Sequence, residues 1–246
     1  MAETENSIIY SQKRKVSASF MDCTAKLGIS HAAGMIQDNL TECFGAMGAD
    51  NYRFNKEYNA FWVFTKTMVH FERRPDWEGI FLAETFPVNN AVFRTEVNSV
   101  FKDRNGKILL MANTECCCLD LTSHRPKKIT DTDFPRENFP ASVFENRFNK
   151  FDFETTDEDY VYSQQVRCQL MDMSNHLNNI EYVKMGVGVL DADFIKSHEI
   201  KEMEVHYMGE CKEFQELKIY KTEKDGKIFV RIRESDRTVF EMSMSF

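Results

Sequence analysis

Two segments of the chain carry apolar residues at steps of three and four, which is the spacing of an amphipathic α-helix. The first predicted helix begins after Gly28 and ends near Gly45 and Gly48, because glycine is common just past a helix. The second helix is predicted over 180–194. The apolar residues of the two stripes are Ile29, Ala32, Ala33, Ile36, Leu40, Cys43, Phe44 and Met47 in the first, and Ile180, Val183, Val187, Leu190 and Phe194 in the second.

Short segments rich in aromatic and β-branched residues follow each predicted helix, and turn residues separate several of them. This pattern is typical of antiparallel strands. One further strand is predicted over 160–171, ahead of the second helix. The strands predicted after the first helix are 61–71, 79–88, 92–102 and 108–121, and those after the second helix are 202–207, 213–222, 227–233 and 238–246.

The two halves share the order of their elements, which indicates an internal repeat. Short matches of sequence at comparable places in each half support this interpretation. The three matched pairs are Asp22 with Asp172 ahead of the helices, Val69-His70-Phe71 with Val205-His206-Tyr207, and the turn Asn105-Gly106-Lys107-Ile108 with Asp225-Gly226-Lys227-Ile228.

Two such copies are expected to share one sheet. A single copy would leave its sheet edge unpaired, and an unpaired edge favours association with another strand. The sequence therefore predicts an α+β fold, a tandem (double) hotdog with two long helices against a continuous antiparallel sheet. We place the N-terminal hotdog at 1–148 and the C-terminal hotdog at 149–246, and we expect the phenylalanine-rich connection 123–156 to lie against the body.

Charge and composition narrow the classes of function. The 246 residues include 31 Lys and Arg against 39 Asp and Glu, a net charge of −8, which disfavours general binding to nucleic acid or anionic membranes. No run approaches the ~18 apolar residues of a membrane span. The first residues, MAETENSIIY, lack the basic start and apolar run of a signal peptide. We therefore expect a cytoplasmic protein.

Seven cysteines occur, and three of them are consecutive at 116–118. Neighbouring residues of a strand point to opposite faces, so this triplet suits neither a disulfide nor a zinc site. The chain also lacks the C-x-x-C pair that zinc sites commonly use. We expect small buried thiols in a reducing compartment, and no bound metal or other cofactor.

The residues that could carry chemistry are concentrated just ahead of the second helix. The run 172–182 reads Asp-Met-Ser-Asn-His-Leu-Asn-Asn-Ile-Glu-Tyr, and a helix start offers backbone N–H groups that can hold a carboxylate or an oxyanion. Asp172 could equally serve only as a helix cap. Downstream, Glu210 lies between Gly209 and Cys211, and packing of the helix over the sheet would bring it close to His176.

This run resembles the D-x-N-x-H-x-N-N motif of the acyl-acyl carrier protein (ACP) thioesterases, and Glu210-Cys211 resembles a Glu-Cys pair that the family carries on a downstream strand. The N-terminal half is similar to the family at Trp62-Val63 and at 74–77, Arg-Pro-Asp-Trp. The resemblance spans nearly the whole chain. It implies hydrolysis of a fatty acyl-ACP thioester to free fatty acid and carrier protein.

Carried over residue by residue, the resemblance makes Asp172, His176 and Glu210 catalytic. Asp172 would be the general base or a carboxylate nucleophile, His176 would polarise the carbonyl or relay protons, and Glu210 would position water and fix His176. Ser174 belongs to the predicted site although the family usually has Asn there, and its hydroxyl reaches less far than a carboxamide. Cys211 matches a residue once considered a nucleophile, but we expect it to be a packed small residue.

The first copy has Asp22 but carries Lys26 where the second has His176, so we expect chemistry in the second copy only. The resemblance implies that the acyl chain lies along the N-terminal half, whose helix carries the small residues 32–34. It also implies a partner, an acyl carrier protein with a phosphopantetheine-linked acyl chain. Candidate basic patches for that partner are Arg73 with Arg74, and Arg125 with Lys127 and Lys128.

Three other functions stay open at this point. One is an acyl-CoA thioesterase on the same fold. Another is a non-catalytic acyl-binding or regulatory protein, which the departure at Ser174 keeps open. The third is a hotdog dehydratase. A monomer is plausible because the doubled chain already supplies the sheet that single hotdogs form by dimerising, and a homodimer also stays open.

Overall fold

Ten antiparallel strands and four α-helices form the part of the chain that the computed structural model describes, residues 8–145 and 147–246. Residues 1–7 lie outside the described residues. They include most of MAETENSIIY, the first ten residues, for which no signal peptide is predicted. The elements are β1 (Tyr10–Lys15), α1 (Ile29–Ala46), α2 (Asn51–Tyr58), β2 (Ala60–Phe71), β3 (Ile80–Asn90), β4 (Arg94–Lys102), β5 (Ile108–Asp120), β6 (Tyr160–Gln165), α3 (Asn179–Val187), α4 (Ala192–Ser197), β7 (Glu202–Tyr207), β8 (Glu216–Lys224), β9 (Lys227–Glu234) and β10 (Arg237–Ser245).

All ten strands belong to one sheet, in the order β1-β3-β4-β5-β2-β7-β10-β9-β8-β6. When β6–β10 are matched with β1–β5, this order is the same from either end. The two halves join where β2 pairs antiparallel with β7, from Lys66 opposite His206 to His70 opposite Glu202. The predicted tandem hotdog with a continuous antiparallel sheet is therefore confirmed. Because β2 and β7 run antiparallel, the loops that follow them lie at opposite ends of the sheet.

One of the three sequence matches behind the repeat is wrong. The turn at 105–108 joins β4 to β5, whereas the turn at 225–228 joins β8 to β9, which correspond to β3 and β4. Both turns need a glycine with positive φ, 79° at Gly106 and 73° at Gly226. The resemblance therefore reports the geometry of a tight turn rather than a position in the repeat.

The helices α1 and α3 pack together on one face of the sheet, where Gly34 of α1 lies beside Ile180 of α3. With 9 residues, α3 is half as long as the 18-residue α1. It ends at Gly188, where a side chain would collide with the hydroxyl of Tyr162. The helix predicted over 180–194 is thus two helices, and Asp191 caps the second by accepting a bond of 2.7 Å from the backbone N–H of Phe194.

Two elements lack the pattern from which the others were predicted. β1 reads YSQKRK and forms an edge of the sheet, so its side chains do not alternate between core and solvent. α2 is polar apart from the buried Phe54 and two tyrosines, so it shows no apolar stripe. The strand predicted over 160–171 ends earlier, at Gln165, and a short 3-10 turn at 168–170 follows it.

The connection between the copies lies across the face of the sheet opposite the helices. Met203 and Val205 pack in the helix-covered core, so Glu204 between them points to the other face. We call residues 121–145 and 147–159 the strap. Side chains of the sheet bond to its backbone at several points. Examples from β4, β7 and β9 are Val143 N–H to Asn98 Oδ1 (2.8 Å), Asn149 N–H to Glu204 Oε1 (2.8 Å), and Arg231 Nη2 to Phe153 O (3.0 Å).

The strap has to be long because of the strand order. β5 lies near the centre of the sheet and β6 forms its far edge, six strand positions away. At about 4.8 Å per strand this is roughly 30 Å, which no tight turn can span. The prediction that the connection lies against the body is confirmed, and Phe134 and Phe153 are buried in it.

Candidate active site

Residues 171–177 form a tight loop ahead of α3, closed by a bridge between Met171 and Leu177. The backbone N–H of Asp172 donates to the carbonyl of His176 at 2.8 Å. In return, Asp172 Oδ1 accepts from the backbone N–H of Ser174 at 2.8 Å and of His176 at 3.1 Å. Asn175 adopts φ of 61°, a conformation that asparagine tolerates better than most residues. The loop thus fixes Asp172 and His176 against each other.

Glu210, three residues beyond the end of β7, meets His176 across this loop. The two side chains approach to 3.3 Å between His176 Nε2 and Glu210 Oε2, and they are 23% and 47% exposed. A bond of 2.8 Å from the N–H of Leu177 to the carbonyl of Cys211 ties the loop to the segment after β7. The structure therefore brings together the three residues that the sequence singles out, at a position open to solvent.

The other two residues of the predicted motif differ in their placement. Ser174 is exposed on the loop, and its backbone N–H, rather than its hydroxyl, makes the bond to Asp172. Cys211 is fully buried, and burial raises the pKa of its thiol more than the neighbouring Tyr182 and Arg237 lower it. Because the thiolate is the nucleophilic form, this environment disfavours nucleophilic attack by Cys211.

The start of α3 is capped by Asn178, whose Oδ1 accepts from the N–H of Ile180 at 3.0 Å. The N–H of Glu181 also donates to the carbonyl of Asn178, at 2.9 Å. Asn178 therefore holds the entry to α3. Since these two amides are already bonded, the amide of Asn179 is the remaining candidate in the first turn for an oxyanion.

The same loop occurs in the first copy with different chemistry. Arg74, which is 1% exposed, forms an ion pair with Asp22 and donates to the carbonyl of Leu27 at 3.2 Å. Lys26 pairs with Glu199, which lies between α4 and β7 of the second copy. The place of His176 and Glu210 is therefore occupied by Lys26 and Arg74.

This arrangement removes one predicted docking patch, because Arg74 is buried and paired. Arg73 follows β2, so it lies at the end of the sheet opposite Glu210. In the second patch, Lys127 donates to the carbonyl of Tyr58 and lies 3.6 Å from Asp120. Neither patch contacts the loop 171–177 within the described part of the chain.

A narrow cavity of about 10 Å³ lies between α1 and the central strands β2 and β7. Ala33, one of the small residues expected beside the acyl chain, lines it together with Ile36, whereas Ala32 is buried in the core. The cavity is large enough for about one water. A longer apolar ligand would need side chains to move. The remaining lining residues are Gln37, Leu40, Phe64, Thr67, Thr114, Ile180, Val205 and Tyr207.

Sequence reasoning missed two side chains that contact the segment bearing Glu210. The hydroxyl of Tyr182 in α3 donates to the carbonyl of Gly209 at 3.1 Å, and Arg237 Nη2 at the start of β10 donates to the carbonyl of Glu210 at 2.9 Å. The one signal available in the sequence is Gly209, where an added Cβ would lie 2.7 Å from Arg237 Nη1.

All seven cysteines are free thiols, and five are buried, which agrees with the prediction for most of them; Cys23 and Cys168 are exposed. Burial raises the pKa of Cys43 to about 12 and that of Cys118 to about 11. Among residues 8–145 and 147–246, no three His, Cys, Asp or Glu side chains converge as metal ligands would. No helix in these ranges has the length and apolar character needed to cross a bilayer.

Two family models match the chain. The acyl-ACP thioesterase N-terminal domain matches residues 7–134, and the acyl-ACP thioesterase C-terminal domain matches residues 153–242. A chloroplastic oleoyl-acyl carrier protein thioesterase 2 from Arabidopsis thaliana is 21% identical over an alignment of 172 residues, which covers 64% of this chain and 46% of the plant protein. The matched segment therefore spans about half the length of that relative.

Solved structures with the same fold cover both copies. An acyl-ACP thioesterase from Bacteroides thetaiotaomicron has a TM-score of 0.85 at 16% identity, over 99% of this chain and 100% of its own. A 12:0-ACP thioesterase from Umbellularia californica has a TM-score of 0.84 at 17% identity, over 98% of this chain and 97% of its own. At these identities the likeness concerns the fold.

Proposed function

This chain belongs to the acyl-ACP thioesterase family, and we propose that it hydrolyses a fatty acyl-ACP thioester to free fatty acid and carrier protein. The observation that carries the proposal is the approach of His176 to Glu210 at 3.3 Å, beside a carboxylate that the same loop fixes. Carboxylate and imidazole groups are what thioester hydrolysis needs to move protons.

In the proposed reaction, the carboxylate of Asp172 has one of two roles. It takes a proton from the water that attacks the thioester carbonyl carbon, or it attacks that carbon itself. The amide of Asn179 would stabilise the oxyanion that forms at the carbonyl oxygen. The carbon–sulfur bond then breaks, and His176 in its protonated form delivers the proton that the departing thiolate needs. The proton that water releases, to Asp172 in the first route or on cleavage of the anhydride in the second, returns to His176. Glu210 fixes the imidazole and positions water. If Asp172 attacks directly, water in a second step cleaves the resulting anhydride and regenerates the carboxylate.

We propose an acyl-binding role for 1–148 and a catalytic role for 149–246. The acyl chain would enter beside α1, where the side chains around the narrow cavity would move apart to admit it. Most of the cavity's lining residues belong to the first copy, and Ile180, Val205 and Tyr207 belong to the second. Ile180, in the first turn of the helix that follows the loop 171–177, lines this cavity. An acyl chain lying in it would leave its thioester near His176.

The carrier would approach the rim of the site. Met173, Met208 and Phe214 are exposed there, with Met173 at 92%. Arg237 lies against Glu210, and Arg167 lies 5.7 Å from the ring of Phe214. Apolar and basic side chains together suit an acidic carrier protein. Free acyl-CoA has a phosphopantetheine arm but no protein surface, so it would contact only a part of such a rim. We place the reaction in the cytoplasm, where exposed thiols stay reduced. We also propose that the protein acts as a monomer, because one chain already contains both hotdog copies.

Asp172→Asn is the variant that tests the proposal. Asparagine can accept the same two loop bonds through its side-chain oxygen, so the fold should survive while the base or nucleophile is lost. We expect free fatty acid release from a panel of acyl-ACP thioesters to fall about 10³-fold. Asp191→Asn is the matched control, because asparagine caps a helix as well as aspartate does, and it should leave the rate unchanged.

Full activity of Asp172→Asn would overturn the assignment and favour a non-catalytic acyl-binding protein. The same panel compared with acyl-CoA substrates separates the two carriers. Equal rates on both would support the acyl-CoA alternative.

A further inference from the structure

The direction in which Glu210 points depends on the two peptide planes that flank its Cα. Each plane is rigid, so holding its carbonyl holds the corresponding backbone dihedral. The carbonyl of Gly209 belongs to the plane before Glu210, and the carbonyl of Glu210 to the plane after it. Tyr182 holds the first at 3.1 Å and Arg237 holds the second at 2.9 Å.

The first copy shows which bonds of this segment are general features of the fold. There, the amides of Glu72 and Arg73 donate to Leu109, as those of Met208 and Gly209 donate to Val239. The bond from Leu177 to Cys211 also has a counterpart, from Leu27 to Pro75, at the same 2.8 Å. These bonds are independent of chemistry because both copies make them.

The two bonds that flank Glu210 are specific to the second copy. By the correspondence of the two loops and of Leu109 with Val239, Ala32 stands where Tyr182 is, and Lys107 stands where Arg237 is. Alanine has no donor in its side chain. In addition, Arg73 replaces Gly209, whose missing side chain lets Arg237 approach to a distance that a Cβ would block.

We infer that Tyr182 and Arg237 are positioning residues that aim the carboxylate of Glu210 at His176. The inference rests on the proposed hydrolysis at this site. Tyr182 is well suited to the task, since it is buried, stacks on Phe240 with ring centres 5.6 Å apart, and stays protonated because burial raises its pKa.

The test is a pair of double-mutant cycles on acyl-ACP hydrolysis. Tyr182→Phe and Arg237→Met are each made in the natural chain and in a Glu210→Gln background. In the natural chain, we expect kcat to fall about tenfold for each variant, because small displacements of a catalytic group carry large costs. KM should stay nearly unchanged for Tyr182→Phe, whereas Arg237→Met should also raise KM, because it removes a charge from the carrier rim. In the Glu210→Gln background, neither substitution should lower the residual kcat further, since the group they aim is already lost.

Two controls separate positioning from a general loss of structure. Tyr162→Phe removes another tyrosine bond to a backbone carbonyl, that of Met185 at 2.7 Å, away from Glu210. Lys107→Met changes the counterpart of Arg237 in the first copy. Both should leave kcat unchanged. Tyr182→Phe removes a single oxygen, so it keeps the test decisive if Arg237→Met does not fold.

Equal losses of kcat in both backgrounds, or no loss in the natural chain, would overturn the positioning role. A natural chain that releases no fatty acid from any acyl-ACP would instead overturn the proposed function.

Discussion

The loop 21–27 ahead of α1 and the loop 171–177 ahead of α3 share their backbone but differ in their charges. In both, the N–H of the aspartate donates to the carbonyl four residues on, at 3.0 Å from Asp22 and 2.8 Å from Asp172. In both, the residue three positions after the aspartate has positive φ, 57° at Ala25 and 61° at Asn175. The fold therefore specifies the loop twice and leaves its side chains free to differ.

The difference determines whether the loop can exchange protons. Lys26 and Arg74 in the first copy are cations, and an arginine in a protein does not give up its proton. Histidine changes charge near neutral pH and a carboxylate accepts protons, so His176 with Glu210 can move a proton where Lys26 with Arg74 cannot. The first copy has used the same backbone to build a buried ion pair that stabilises the fold.

The largest effect on the rate of hydrolysis is expected when His176 in the loop 171–177 is replaced by lysine, the residue at the corresponding position of the loop 21–27. His176→Lys should lower acyl-ACP hydrolysis about 10³-fold, which is about 4 kcal/mol of transition-state stabilisation. The reason is that lysine keeps a positive charge but holds its proton too tightly at neutral pH. The measurement is kcat/KM on one acyl-ACP substrate.

Lys26→His makes the reciprocal change and should leave that rate unchanged. It removes a partly exposed ion pair with Glu199, which contributes at most about 1 kcal/mol. A second active site in this variant, seen as a rate gain that survives Asp172→Asn, would contradict the view that the first copy is only structural.

A smaller effect, on stability instead of rate, is expected from the ion pair of the first copy. Arg74→Met should lower the free energy of unfolding by about 3 kcal/mol, because it leaves Asp22 unpaired in a largely buried place. Urea unfolding measures the loss. The kcat of the remaining folded protein should be unchanged.

The exposed neighbour Arg73 supplies the control, since Arg73→Met should change stability by less than about 1 kcal/mol. Adding Asp22→Asn to Arg74→Met should recover more than half of the loss, because it removes the unpaired charge and keeps the loop bond to Thr24. Additive losses in the double variant would show that packing, not charge, is what Arg74 contributes.

The smallest effect concerns pH and the first turn of α1. Burial, followed by the charge of Lys184, lowers the pKa of His31 below its ordinary 6.5, while Asp22 raises it. The unfolded chain therefore binds the proton more readily, so stability falls as the pH is lowered through 6.5 and below. The loss should stay under about 1 kcal/mol, since the ring is partly exposed.

His31→Gln should remove this part of the pH dependence. Thermal unfolding between pH 7.5 and 5 measures it in both proteins. In the second copy Glu181 occupies the corresponding place and pairs with Lys184 at 2.6 Å. An unchanged pH slope in His31→Gln would show that the slope arises elsewhere.

The sequence predicts most of what depends on local pattern. The stripe from Ile29 to Met47 predicts α1 almost to the residue, and strand segments such as 61–71 lie within one or two residues of β2. The order of Asp172, His176 and Glu210 predicts the candidate site, and the structure places the three together. These features depend on periodicity and on short motifs, which a single sequence contains.

What the sequence does not contain are contacts between distant positions. Arg74 is visible in the run 74–77, yet nothing in that run indicates that it would be buried against Asp22, 52 positions earlier. The bond from Arg237 to Glu210 likewise forms only because β10 pairs with β7 in the folded sheet. β1 and α2 were missed for a different reason, because an edge strand and a polar helix need no apolar pattern.

The strap has a consequence for how the two copies could have come to differ. Two separate identical chains would place the same side chains at both loops, so any substitution would appear twice. A covalent link gives each copy a high effective concentration for the other, independent of the amount of protein in the cell. Closing a longer loop adds little entropy cost. A connection of roughly 40 residues therefore lets the loops 21–27 and 171–177 differ in sequence and in function at little cost in stability.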